Sequence, residues 1–317
     1  MTTFQFESDL LDVHLNPTAI KRYVERLPLL VKAQGLETST RDLILAVQCI
    51  DLTTLAGDDT SSNVSRLCWR ANNPLCKAIV DHLKKEEIND AITTAAVCVY
   101  PARVYDCSQY LGKLNSLISI ASVVAGFPAG QGYDVCTSQE IKYAIESGAC
   151  EIDIVINRTL ALIGQWETLY EQIRTISQLC SQSETHLKVI ISTGELATLT
   201  NVYKASMVAM MAGADFIKTS TGKESINAKL VYGMVMCRAI RDYHLATGRR
   251  VGLKPAGGLK NANDALCWIM LMRTQLGPDW LNNQRFRIGA SSLLGKIEAE
   301  LFQRLLKRTP QDYELSF

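Results

Sequence analysis

From residue 46 onward the chain repeats one unit: a short β-branched or apolar run, a polar or glycine-containing loop, then a stretch with helical periodicity. The apolar runs are AVQCIDLT (46–53), TTAAVCVY (93–100), ISIASVVAG (118–126), EIDIVIN (151–157), LKVIIST (187–193), DFIKTS (215–220), RVGLKP (250–255) and FRIGAS (286–291). Strands that are apolar on both faces and alternate with helices belong to a parallel sheet, whose two faces are covered. Eight such units favour a closed (β/α)8 TIM barrel, an α/β fold, over an open doubly wound sheet. No GxGxxG follows the first strand, which weakens a dinucleotide-binding reading further.

Helix punctuation supports the alternation. Thr137 and Glu140 have capping-box spacing, and Ile141, Ala144 and Ile145 mark one apolar face before Gly148. Met207, Met210 and Met211 lead in the same way to Gly213. Each glycine stands five residues before a charged strand residue, Asp153 in one case and Lys218 in the other, so equivalent units would put these two at matching depth. Residues 1–45 fall outside the repeats. Their pattern around Ile20, Val24, Leu27 and Leu30, with Pro28 bounding a helix, predicts a helical extension packed on the barrel. The expected division is 1–45 for that extension and 46–317 for the barrel with a short tail.

Composition excludes several classes. The 317 residues carry 33 Lys+Arg against 32 Asp+Glu, a net charge of +1, so no basic excess marks a nucleic-acid partner. No apolar run reaches the roughly 18 residues of a membrane span, and the acidic start is no secretory signal. Ten cysteines without a CxxC pair suggest reduced, mostly buried thiols in a cytosolic protein. The four histidines are scattered without ligand spacing, so neither a metal nor another cofactor is expected.

A (β/α)8 barrel places its active site at the C-terminal ends of the strands. The polar candidates there are Asp51, Cys98, Asp153, Lys218 and Lys254. Any one of them alone has a plain structural explanation. Two lysines and a carboxylate gathered at one barrel mouth do not, because buried charges need partners. A lysine attacks a carbonyl only when deprotonated. A second ammonium roughly 5 Å away, at an effective dielectric near 20, opposes its charging by about 3 kcal/mol, or roughly 2 pKa units. The neutral amine would then form a Schiff base whose iminium draws electrons from a breaking carbon–carbon bond, with Asp153 moving protons.

Two loops suit an anion. Thr219-Ser220-Thr221-Gly222-Lys223 combines hydroxyls, a permissive glycine and a cation, and Gly257-Gly258 lets backbone N–H groups approach closely. Ser291-Ser292 opens the last helix, where unpaired N–H groups favour negative charge. The segment TSTGKE is no P-loop, since Ile217 stands where the first glycine would be and Glu224 follows Lys223.

The segments IDLTTLAGDDT (50–60), TTAAVCVYP (93–101), ASVVAGFPAGQ (121–131), EIDIVINR (151–158), DFIKTSTGK (215–223), LKPAGG (253–258) and RIGASSLL (287–294) together resemble the deoxyribose-phosphate aldolase family. The likeness spans about residues 45–295 and is nearest to the longer animal-type members. It implies a Schiff-base lysine at Lys218, a second, perturbing lysine at Lys254 and an acid/base carboxylate at Asp153. It implies further that Gly222, Lys223, Gly257, Gly258, Ser291 and Ser292 surround a phosphate, that Thr221 also binds substrate, that Asp51 and Thr53 orient substrate hydroxyls, and that Cys98 lines the pocket. The implied partner is a small sugar phosphate; self-association is left open. Some bacterial members end in a tyrosine that reaches the site, whereas here Tyr313 stands four residues from the end. Two alternatives remain at this point: another Schiff-base sugar-phosphate lyase on the same fold, and a barrel that binds a sugar phosphate without turning it over.

Overall fold

All eight expected strands form in the computed structural model, which describes residues 6–88 and 91–316. They are β1 (Ile50–Thr53), β2 (Ala96–Val99), β3 (Ser119–Val124), β4 (Glu151–Val155), β5 (His186–Ile190), β6 (Phe216–Lys218), β7 (Gly252–Lys254) and β8 (Ile288–Ala290). Every pairing is parallel, in the order β7-β6-β5-β4-β3-β2-β1-β8. The last gap is bridged by two parallel contacts, Leu253 with Phe286 and Ala256 with Gly289, so the sheet closes into the barrel.

The helices in chain order are α1 (Pro17–Glu25), α2 (Leu27–Ala33), α3 (Thr40–Gln48), α4 (Ser61–Asn72), α5 (Lys77–Lys85), α6 (Pro101–Lys113) and α7 (Asp134–Glu146). They continue with α8 (Arg158–Leu162), α9 (Trp166–Ser181), α10 (Leu199–Met211), α11 (Leu230–Thr247), α12 (Ala262–Gln275) and α13 (Leu293–Leu306). Of the N-terminal helices, α1 lies on α11, α2 on α12, and α3 on α12 and α13. Pro28 sits in the first turn of α2, where its missing N–H costs nothing. The first five residues of the expected extension, and Phe317 of the expected tail, lie outside the described residues. Among the described residues no helix is long and apolar enough to cross a membrane, and all ten cysteines are free, eight of them buried.

Two local expectations need correction. Residues 46–48 are the last turn of α3, not the start of β1; a short apolar run cannot by itself separate helix from strand. Thr137 and Glu140 do not cap α7 either. The chain arrives extended at Tyr133, the helix starts at Asp134, and the Glu140 carboxylate instead accepts the N–H of Ala125 just beyond β3. Gly148 and Gly213 do follow their helices with φ of +111° and +108°. A side chain there would also strike Ser108 and Ser177, so both conformation and space demand glycine.

Alternation along each strand separates two interiors. Outward residues such as Ile152, Ile154, Leu187 and Val189 join the helices in one large apolar cluster. Inward residues usually fill a barrel with branched apolar side chains. Here Cys98, Ala121 and Val123 do so on the β2–β3 side, with Leu55. Among them, and beside Val155, Ile190 and Phe216, the lumen also holds Asp51, Glu151, Asp153, Lys188, Lys218, Lys254 and Arg287, all buried.

Candidate active site

Asp153 is the hub. Its Oδ2 accepts a 2.7 Å hydrogen bond from Lys218 Nζ and another of 2.7 Å from Lys254 Nζ. Two nitrogens bound to one oxygen are necessarily neighbours, so the lysines do converge. Lys254 Nζ also lies 2.5 Å from Asp51 Oδ2, while Asp51 Oδ1 accepts from Arg287 at 2.7 Å. The layout follows from the register: Lys218 pairs with Lys254 across β6–β7, and Asp153 with Lys188 across β4–β5. Glycine makes room for it. A Cβ on Gly289 would stand 2.9 Å from that of Ala256 and 3.3 Å from Lys254 Cε, and one on Gly252 would enter the Phe216 ring over which Arg287 stacks.

Three further residues complete the cluster and were not among the sequence candidates. Lys188 Nζ donates to Asp153 Oδ1 at 2.9 Å and to Glu151 Oε2. Glu151 also accepts from Arg287, whose Nη2 lies 2.8 Å from Oε1. Their signal was present in the sequence. Glu151 and Lys188 are charged residues two apart from, or level with, Asp153 on strands otherwise apolar, and a charge there must find a partner.

The electrostatics separate the two lysines. Lys218 is held below the ordinary lysine value, first by burial and then by the Lys254 charge, with Asp153 opposing both. The repulsion inferred from sequence is therefore present but second to desolvation. Lys254 suffers the same burial, yet the carboxylates of Asp153 and Asp51 outweigh it and raise its pKa. Lys254 thus stays an ammonium while Lys218, with one carboxylate partner, is the lysine prepared to lose its proton. Asp153 meets burial as well, but Lys188, Lys218 and Lys254 hold it far below the usual carboxylate range. Burial pushes the Cys98 thiol up, so it is uncharged.

Above this cluster a cavity of about 240 Å³ opens at the C-terminal ends of the strands. Of the sequence candidates, Lys218, Thr53, Thr221, Gly222, Lys223, Gly257, Gly258, Ser291 and Ser292 line it. Lys254, Asp153, Asp51 and Cys98 do not: they lie beneath, fully buried. Asp51 has its two oxygens committed to Lys254 and Arg287, and Thr53 bonds the Asp51 carbonyl. The β6 loop is folded over by Glu224, which accepts from Thr221 N and Ser192 Oγ. The β6 and β7 loops are tied together where Ala256 N donates to Thr219 Oγ1, and their glycines abut, Gly257 having φ +72° and no room for a side chain. Three positive-φ glycines, a lysine and the Ser291-Ser292 start of α13 give the cavity a wall of donors.

Tyr313 is 83% exposed, and the tail is fastened elsewhere, Ser316 N donating to the buried Glu298. A larger cavity, about 770 Å³, opens at the other end of the barrel near Tyr170, Asp215 and Arg249. It is remote from the lysines and lies at the end of this fold associated with stability. Among the described residues, no group of three His, Cys, Asp or Glu side chains is placed to hold a metal ion.

Fold and site define a (β/α)8 barrel with two buried, carboxylate-linked lysines beneath a cavity at the C-terminal ends of its strands. Residues 45–270 match the DeoC/LacD family aldolases. Over 274 residues the chain is 54% identical to deoxyribose-phosphate aldolase of Homo sapiens and 53% identical to that of Bos taurus, covering 86% of this chain and 85% of each relative. It also shares its fold, with a TM-score of 0.61 at 23% identity over 82% of this chain and 97% of the other, with the tetrameric deoxyribose phosphate aldolase of Aeropyrum pernix. The chain belongs to the DeoC/LacD family of aldolases.

Proposed function

We propose that the chain is a class I aldolase that cleaves 2-deoxy-D-ribose 5-phosphate reversibly to glyceraldehyde 3-phosphate and acetaldehyde, with Lys218 as the Schiff-base amine. The observation that carries this is the asymmetry of the lysines: Lys218 alone borders the cavity and has a single carboxylate, while Lys254 is buried against two.

The sequence of steps follows from that placement. Neutral Lys218 Nζ adds to the C1 aldehyde of the open sugar, and loss of water gives the iminium. The C3 hydroxyl loses its proton, the C2–C3 bond breaks and its electron pair moves into the iminium, leaving an enamine and glyceraldehyde 3-phosphate. Protonation of the enamine carbon and addition of water release acetaldehyde and the amine. Asp153 is too firmly ionised to be a strong base by itself. Its part is to join Lys218 and Lys254 through one oxygen and pass protons between them, relayed to substrate by water. The phosphate lies against Gly222, Lys223, Gly257, Gly258, Ser291 and Ser292, with Thr221 and Thr53 nearer the sugar. Asp51 acts from below by fixing Lys254, and Cys98 forms the wall beneath. Free thiols throughout the described residues suit a reducing compartment such as the cytoplasm.

Borohydride reduction with 2-deoxyribose 5-phosphate, followed by peptide mass mapping, is expected to place a covalent adduct on Lys218. An adduct on another lysine, or normal turnover by Lys218→Ala, refutes the assignment.

A further inference from the structure

Lys188 plays no part in the steps above and does not reach the cavity, yet it is fully buried in the lumen. Its ammonium bonds Glu151 and Asp153 Oδ1 and stands 3.7 Å from Asp51 Oδ2. With it, the connected cluster holds four cationic side chains, Lys188, Lys218, Lys254 and Arg287, against three carboxylates, Asp51, Glu151 and Asp153. A buried cluster with a net charge is costly, and losing one proton neutralises it.

Only one member can shed that proton readily. Arginine does not deprotonate. Lys188 has three carboxylates within 3.7 Å and Lys254 has two, whereas Lys218 has one and borders the cavity. The groups facing Lys218 from the surrounding strands are Asp153 on β4, Lys254 on β7 and the Cys98 thiol on β2; Lys188 on β5, Asp51 on β1 and Arg287 before β8 stand behind them. Cys49, buried near Asp51 and Arg287, is an uncharged thiol. Glu224 is turned toward Ser192 and Thr221 N.

We propose that Lys188 and Glu151 are a charge-setting pair of positioning residues. Lys188 supplies the positive charge that leaves the lumen one proton in excess, and Glu151 limits that excess to one, so that Lys218 gives up its proton. This rests on Lys218 being the reactive amine, but it fails separately from that reading.

The test is the pH dependence of cyanoborohydride trapping of 2-deoxyribose 5-phosphate on Lys218, read by peptide mass spectrometry, in four proteins. Unaltered enzyme sets the reference midpoint, and absence of its Lys218 adduct overturns the parent reading and this one with it. Lys188→Met leaves three cations against three carboxylates, so the trapping midpoint moves to higher pH, by about one unit. Glu151→Gln leaves four against two, and the midpoint moves to lower pH. The double variant restores an excess of one, and its midpoint returns toward the reference although two buried side chains have changed. If the Lys218 adduct forms in all four proteins at one midpoint, or both single variants move the same way, the charge-setting role is wrong while the Schiff base stands. A packing role alone would lower thermal stability without shifts of opposite sign. Should Lys188→Met not fold, the near-isosteric Glu151→Gln carries the test, and a midpoint that fails to move to lower pH overturns the proposal.

Discussion

Replacing Lys254 by Met removes the ammonium that shares an oxygen with Lys218. Two nitrogens each 2.7 Å from Asp153 Oδ2 lie about 5 Å apart or less, and at an effective dielectric near 20 their repulsion is roughly 3 kcal/mol, equivalent to roughly 2 pH units. The sign is set by chemistry. As the proposed Schiff-base amine, Lys218 must be neutral to add to an aldehyde, so the acid limb of the activity is expected to follow its pKa. Loss of Lys254 removes repulsion and also leaves Asp153 and Asp51 less neutralised, and both effects raise that pKa. Burial of Lys218 is unchanged and continues to lower it, so the expected displacement is about 1–2 units toward alkaline pH. Initial rates of aldehyde release across pH give the limb, and Lys218 trapping across the same range reads imine formation apart from later proton transfers. A lower maximal rate is expected as well, because Lys254 belongs to the proposed relay. An acid limb within about half a unit of the unaltered enzyme, in a variant with normal thermal unfolding, would refute the coupling and leave burial alone to activate Lys218.

Lys223→Ala removes a cation from the cavity wall. It is expected to raise KM for 2-deoxyribose 5-phosphate about tenfold or more, with little change for unphosphorylated 2-deoxyribose, because a charged hydrogen bond is worth roughly 1.5–3 kcal/mol. Equal effects on both sugars would remove Lys223 from the phosphate site. Glu298→Ala breaks a buried junction in which Glu298 pairs with Arg70 at 2.6 Å and accepts from the N–H groups of Cys76 and Ser316. Urea unfolding should show a loss of about 3 kcal/mol, with kcat per folded molecule preserved. A large fall in kcat at unchanged KM would instead give the fastened tail a part in catalysis.

What the sequence made legible follows a physical line. Each strand could be seen because most of its positions on both faces are apolar, and strand ends were uncertain where an apolar run crossed from helix into strand, as at Ala46-Val47-Gln48. Lys218 and Lys254 stood out because they interrupt such runs next to loops rich in glycine and hydroxyls, and Asp153 because it interrupts the apolar run EIDIVIN. Lys188 and Glu151 were missed because they adjoin no such loop, and a lone lysine in LKVII reads as a solvated strand residue; Arg287 stands beside the glycine- and serine-containing segment 289–292 but near the start of its run, where a charge reads as a strand end. Closure of the barrel decides otherwise. A position in phase with Asp153 faces the lumen and not water, so its charge has to be answered from another strand. Which strand answers depends on register and stagger, and neither is written in any single segment.

The lumen also explains why burial ranks above repulsion in preparing Lys218. A branched apolar filling would exclude water equally well but offer no counter-charge, and a buried lysine would then simply be neutral at every working pH. An ion-paired filling holds Lys254 charged and Asp153 ionised within hydrogen-bond distance of the amine, the arrangement that the proposed proton relay requires. Buried ion pairs seldom stabilise a fold as well as packed hydrocarbon of the same volume. Stability here rests on the apolar layer between strands and helices, where Ile152, Ile154, Leu187 and Val189 are buried. The same strands therefore carry two separable sets of alternate residues: outward positions hold the barrel together, and inward positions supply the charges that, in the role proposed above, set the state of one amine.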